Sequence, residues 1–315
     1  MSRLFIARDE RLRSSWRFVL GVLGVIVAEY SSRFVASSIA GGGAPAMFVF
    51  IQEPLSLGLT LLIFSGLLVV ADRVNEDRLT AQGLPRSGPW LRQGLDGVLL
   101  GAGMVTACVL TVRLLGSVSF TVEISGRSVP ALALVCGLLL VAAMKEEVVF
   151  RGYPFQRLVE AGGPRWGPVL GITVLSVLFG LVHWGNPSRT IFSTANTVLI
   201  GVVLAVAYLR TRALWLPIGI HFGWNFMLGA VFGLPVSGLN AFAVFVHGRA
   251  IGPLWLTGGD YGIEASAVAT VVVLLSLPAI FSLYRPPTAG LEVINDQSRK
   301  PVLRVDVGGA GGTQS

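Results

Sequence analysis

A chain of 315 residues that is 53% hydrophobic and only 13% charged, with a mean hydropathy of +0.73, lies outside the range of ordinary soluble domains and is expected to be a polytopic membrane protein. The formal net charge of +7 would point to nucleic acid in a soluble protein. Here the basic residues sit between and beside apolar runs, where they report topology, so the expected partner is the lipid bilayer and not nucleic acid.

Residues 1–17 (MSRLFIARDERLRSSWR) form a basic N-terminal segment ahead of the first apolar run, Phe18 to Ala40. That run exceeds the apolar stretch of a secretory signal, although Ala44-Pro45-Ala46 mimics a cleavage site, so it reads as an uncleaved first span. Further apolar runs cover roughly 47–71, 94–116, 130–150, 167–185, 190–209, 213–233 and 265–284, each near the ~20 residues a helix needs to cross hydrocarbon. The expected fold is therefore all-α, a bundle of about eight transmembrane helices in one domain over 18–285. Assigning loops alternately puts the 24 Lys and Arg residues on one side, except Arg33, Arg113, Arg127, Arg189 and Arg249. The positive-inside rule then places both termini in the cytoplasm.

Gly83 to Arg92 (GLPRSGPWLR) has the aromatic and basic composition of an interfacial segment. GxxxG spacings at Gly97/Gly101, Gly167/Gly171, Gly219/Gly223 and Gly229/Gly233 suit close helix packing in lipid. Cys108 and Cys136, both in apolar runs, are too few for a disulfide framework or a thiolate metal site. The loop 234–264 is the longest between spans and is expected on the outer face as a cap or re-entrant segment. Its sequence spells out no chemistry. The tail 286–315, ending GGAGGTQS, has a composition that cannot bury a core and is expected to be a flexible cytoplasmic extension.

Ionisable residues at membrane depth are costly and therefore informative. Glu29 and Glu53 each stand alone and read first as structural hydrogen-bonding groups. Glu146 and Glu147 form an adjacent pair at the end of an apolar run, with Arg151 following. Neighbours on a helix point about 100° apart, so the two carboxylates are expected to address different spots. Glu147 pairs with Arg151 at i,i+4, fixing the helix or binding substrate, and Glu146 is left free. Phe179 and His183, and His221 and Asn225, are also i,i+4 pairs. His247, in the outer loop, reads as solvated. For Glu146 to meet His183, the fourth helix is expected to run on to about Glu160, kinked at Pro154, with the fifth starting near Pro168. The antiparallel hairpin then brings the two side chains level.

A carboxylate and an imidazole sharing a water in a low-dielectric cavity can deprotonate it. Glu146 with His183 would activate water, and His221 with Asn225 would stabilise the oxyanion formed on a peptide carbonyl. No cofactor is needed for this. The same Glu146, His183 and His221 also make a possible zinc set, although the HExxH signature is absent. A transporter or proton relay, or a non-catalytic scaffold or immunity factor, are the readings from other classes.

The stretches Glu146-Glu147-V-V-F-Arg151, Phe179-G-L-V-His183 and His221-F-G-W-Asn225 resemble, in order and spacing, the EExxxR, FxxxH and HxxxN motifs of the CPBP family, the CAAX prenyl protease 2-like, bacteriocin-processing (ABI-like) intramembrane proteases. The similarity covers about residues 130–235. It implies an intramembrane endopeptidase of the glutamate type, with Glu146 as base, His183 as its partner, and His221 and Asn225 assisting the tetrahedral intermediate; Glu147, Arg151 and Phe179 support them. The implied substrate is a membrane-associated peptide or protein, and the implied setting is a bacterial plasma membrane.

Overall fold

The computed structural model describes residues 12–41, 45–74, 77–124 and 128–284. Most of the basic N-terminal segment and the tail 286–315 lie outside these residues. Helix α1 (Ser14–Ala40) shows how the chain is adapted to lipid. Its buried positions are Arg17, Gly21, Gly24, Ala28, Ser32 and Ala36, a stripe of mostly small residues at three- and four-residue spacing. Its large apolar side chains, such as Val27 and Phe34, are exposed. Small residues inward and bulky ones outward is the membrane pattern, because lipid leaves no hydrophobic force to bury the large ones.

The remaining helices follow as α2 (Pro45–Val70), the short α3 (Arg78–Ala81), α4 (Trp90–Leu114), α5 (Ser128–Arg151), α6 (Tyr153–Val182), α7 (Ile191–Thr211), α8 (Trp215–Phe226), the short α9 (Leu254–Thr257) and α10 (Ala267–Leu283). Among the described residues four helices are long and apolar enough to cross a membrane: α1, α2 (from Met47), α4 and α7. Helices α5, α6 and α8 carry the charged and polar motif residues, and α10 is a shorter apolar helix of 17 residues. The architecture is that of an all-α membrane protein with one small addition. Strands β1 (Val118–Val122) and β2 (Val246–Ala250) pair antiparallel, Phe120 opposite Gly248, and so join two loops that the sequence leaves separate.

Helices α7 and α8 are central. Val203, Leu204, Leu216 and Ile220 belong to one apolar cluster with α4 and α10, while Ala205, Tyr208, Leu214 and Ile218 belong to a second with α2 and the start of α6. Two of the GxxxG pairs meet face to face. A Cβ on Gly97 would lie 2.4 Å from the Leu216 carbonyl, one on Gly101 2.1 Å from that of Ile220, and one on Gly223 2.4 Å from that of Val98. Backbone thus packs on backbone between α4 and α8, which only glycine permits. Away from the site, Asp72 holds three elements together: it accepts from Arg17 of α1 and Arg157 of α6 and, at 2.7 Å, from the Tyr153 hydroxyl.

Candidate active site

The motif residues come together because α5 and α6 form a hairpin whose reversal falls between Glu160 and Pro168, while its first arm is divided at Gly152 in place of a kink at Pro154. Helix α5 ends at Arg151 and does not continue to Glu160. Gly152 separates it from α6, and Pro154 lies in the first turn of α6, where its missing N–H costs nothing, so it starts a helix instead of kinking one. The reversal comes at Gly163, whose φ of 69° and ψ of −177° interrupt α6; that region of backbone space is essentially closed to residues with a Cβ. A Cβ on Gly167 would lie 2.0 Å from the Val159 carbonyl and one on Gly171 3.2 Å from the Phe155 ring. Beyond the paired helix ends, the Phe150 and Phe179 rings meet edge to face at 5.1 Å, and Glu146 reaches His183. The pairs nearest the turn step away from Gly163 evenly on both arms, and beyond the Gly152 break the α6 arm uses more residues than the α5 arm to reach the same level.

Glu146 lies between the two histidines. Its Oε2 is 3.9 Å from His183 Nε2 and 3.8 Å from His221 Nε2. This buried oxygen has no direct hydrogen-bond partner. The second imidazole nitrogens are engaged elsewhere: His183 Nδ1 is 2.7 Å from the Phe179 carbonyl, and His221 Nδ1 is 2.9 Å from Glu147 Oε1. Glu147 also accepts from Arg151 Nη1 at 3.0 Å, and Arg151 Nη2 donates to the Gly201 carbonyl at 3.1 Å. The guanidinium stands 4.5 Å from the centre of the Phe179 ring. Glu147 and Arg151 are 0% and 1% exposed, so they orient other groups and offer nothing to a substrate. Glu147 pairs with Arg151 and Glu146 faces the two Nε2 atoms, and both carboxylates approach the His221 ring, from its opposite nitrogens.

Asn225, one helical turn beyond His221, lines a cavity of about 480 Å³ together with Glu146, Phe179, His183 and His221. A second polar wall of the same cavity comes from α1, α2 and α5. Glu29 accepts from Gln52 at 2.7 Å, Ser56 at 2.9 Å and Arg33 at 3.0 Å, and Lys145 Nζ lies 2.8 Å from Glu53. Both lone acids of the first two spans are therefore paired side chains. His247 is exposed on β2, with Glu123 3.8 Å away.

Sequence reasoning passed over Glu264. It sits in the loop after α9, yet its carboxylate lines the cavity and accepts from Trp224 Nε1 at 3.0 Å and from Ser237. Burial pushes this carboxyl above the ordinary value, while the Ser237 and Trp224 donors pull the other way. The available signal was a lone acid bracketed by the apolar Ile263 and Ala265.

Zinc is testable on this geometry. Its bonds of 2.0–2.1 Å place tetrahedral ligands about 3.3 Å apart, less than the two Glu146 separations of 3.9 and 3.8 Å. Among the described residues no group of three or more His, Cys, Asp or Glu side chains is arranged to hold a metal ion. The donor types suit zinc; the separations are wider than those between a zinc ion's ligands and narrower than the ~4.5 Å that one water bonded at ~2.8 Å to each group would set.

Residues 128–227 match the family model described as type II CAAX prenyl endopeptidase Rce1-like. The chain thus carries an Rce1-like domain over α5 to α8, with all seven motif residues inside it. No curated protein and no solved structure matches the chain.

Proposed function

From the premise that residues 128–227 form an Rce1-like domain, we propose that this protein is an intramembrane endopeptidase acting on membrane-associated peptides or proteins. The observation that carries the reading is the Glu146 carboxylate set 3.9 and 3.8 Å from two imidazole Nε2 atoms in a largely apolar cavity. A water bridging Glu146 and His183 gives its proton to the carboxylate as its oxygen attacks the peptide carbonyl carbon. The charge that develops on the carbonyl oxygen is met by Asn225 and by His221, which as an imidazolium donates through Nε2 while Glu147 holds Nδ1. The C–N bond then breaks as the captured proton passes to the leaving nitrogen, giving a carboxylic acid and an amine, which exchange a proton to leave as carboxylate and ammonium.

The supporting architecture in this proposal is eight spans, α1, α2, α4, α5, the second arm of α6, α7, α8 and α10, with both termini cytoplasmic. Pairing of β1 with β2 favours this count. An even number of crossings between the two loops, here α5 to α8, puts them on one face.

Purified protein in detergent, given a peptide library, tests the reading directly. Wild type is expected to cut, and Glu146→Ala and His183→Ala to lose cleavage. A zinc enzyme is the second reading, favoured by the two engaged Nδ1 atoms, which leave both Nε2 atoms facing Glu146. Held by Glu146, His183 and His221, zinc would supply Lewis-acid activation of the water. Cleavage that survives a chelator supports the metal-free reaction; loss on chelation that zinc restores supports the other.

A further inference from the structure

Helix α6, with His183 at its end, and helix α8 have few backbone contacts, and the Phe179 ring meets that of His221 edge-on at 6.0 Å. Glu147 and the Phe179 carbonyl orient the two rings but do not join these helices. A second set of bonds, running through Ser237 and Glu264 beyond the Rce1-like segment, also joins them, and Glu264 is its hub. The indole N–H of Trp224 donates to Oε1 at 3.0 Å, and the Ser237 hydroxyl at 3.1 Å and backbone N–H donate to Oε2. Trp224 precedes Asn225 and follows His221 by three residues on α8. On the other side, Asn186 Nδ2 donates to the Ser237 carbonyl at 3.1 Å, while the Asn186 N–H donates to the His183 carbonyl at 3.0 Å.

This chain of contacts is built tightly. Asn196 of α7 fixes the Glu264 backbone, donating to the carbonyls of Glu264 at 2.8 Å and Ser266 at 3.0 Å. Ser237 holds a φ of 48°, a left-handed conformation that costs a non-glycine residue of order 1 kcal/mol and persists only where its surroundings enforce it. Next to it, a Cβ on Gly238 would fall 2.2 Å from the Pro187 carbonyl. The turn at 237–238 is therefore pressed onto the turn that follows His183.

We propose that Glu264 is a positioning residue that clasps the outer loop to both histidine-bearing helices and thereby sets the separation of His183 and His221 around Glu146. This rests on the protease reading for its catalytic consequence, though not for its structural one. Both imidazoles stand within 0.1 Å of the same distance from Glu146 Oε2, at 3.9 and 3.8 Å. Loss of the clasp would let one ring drift, and a misplacement near 1 Å at a reacting centre costs on the order of 10²-fold in rate.

The test uses the full chain in detergent as wild type, Glu264→Gln, Ser237→Ala and, as a control at an exposed site, Glu123→Gln. Glu264→Gln is expected to lower kcat about 10- to 100-fold with KM within about threefold, the pattern of a lost transition-state contact and not of lost substrate binding. Ser237→Ala should lower kcat less, in the same direction, and the control should match wild type. In ¹⁵N-labelled protein, Glu264→Gln is expected to shift the Trp224 indole signal and the ring signals of both His183 and His221. In an active enzyme, a kcat within twofold of wild type, or a change in KM alone, overturns the proposal. If wild type cuts no peptide, the protease reading fails by itself, and the histidine ring signals decide the clasp: shifted supports it, unshifted overturns it.

Discussion

His221 has a carboxylate at each nitrogen, Glu147 at 2.9 Å and Glu146 at 3.8 Å, and the two acids differ in what their loss would do. Glu146 makes no direct hydrogen bond through Oε2, so Glu146→Gln is expected to leave the thermal midpoint in detergent near that of wild type while cleavage falls about 10²- to 10⁴-fold. Glu147 is the buried counter-ion of Arg151. Glu147→Ala strands that guanidinium and is expected to destabilise the protein by about 3–5 kcal/mol, read as a lower midpoint, as well as freeing the His221 ring. The two readouts together separate base from brace. The polar residues were legible because charge at membrane depth stands out against apolar runs. Their arrangement was less so, because helix spacing pairs Glu147 with Arg151 without showing that both carboxylates also flank the His221 ring. Glu264 was illegible for another reason: its donors, Trp224 and Ser237, are 40 and 27 residues away, and no local spacing links them.

At the scale of elements, two glycine devices set the geometry. Gly163→Ala places a side chain at a φ of 69° and ψ of −177°, at a cost of about 1–3 kcal/mol. Because this turn sets the register that brings Glu146 level with His183, the variant is expected to lose activity well beyond what its midpoint explains, checked by assaying the folded fraction. Gly101→Val drives a Cβ to 2.1 Å from the Ile220 carbonyl. Overpacking of this kind costs about 1–3 kcal/mol when side chains can yield. Here the obstacle is backbone, so the expected result is poor yield or an early melt in detergent. The hairpin was readable from chain lengths, since a turn between Glu160 and Pro168 leaves arms of comparable length to Glu146 and His183. The break in the first arm was not, because Pro154 reads as a kink until one sees Gly152 before it and a new helix beginning around it. The GxxxG spacings announced close packing without naming partners: Gly97/Gly101 meet Gly219/Gly223, while Gly167/Gly171 meet Val159 and Phe155 of their own hairpin.

For the whole molecule, the apolar runs reported a helical membrane protein, and composition alone was enough for that because a lipid-facing surface must be apolar throughout. The short sheet joining β1 to β2 was hidden, since each strand is five residues in a loop and their partnership spans the entire core. It yields a topological expectation. Single cysteines at exposed Thr121 and His247, facing each other across this sheet, in a chain with Cys108 and Cys136 replaced by alanine, should react with an impermeant maleimide from the same side of sealed vesicles. Labelling from opposite sides would contradict the span order proposed above.

The glycine contacts between α4 and α8 carry one more consequence. Where main chain rests on main chain there is no side-chain cushion to compress, so α8 has no slack toward α4 and the imidazole it bears behaves as a fixed post. On the protease reading proposed above, room for a peptide is expected on the far wall, where α1 and α2 meet α5 through ionic side chains such as Lys145 and Glu53. The wall that carries His221 is then the stationary bank of the cleft.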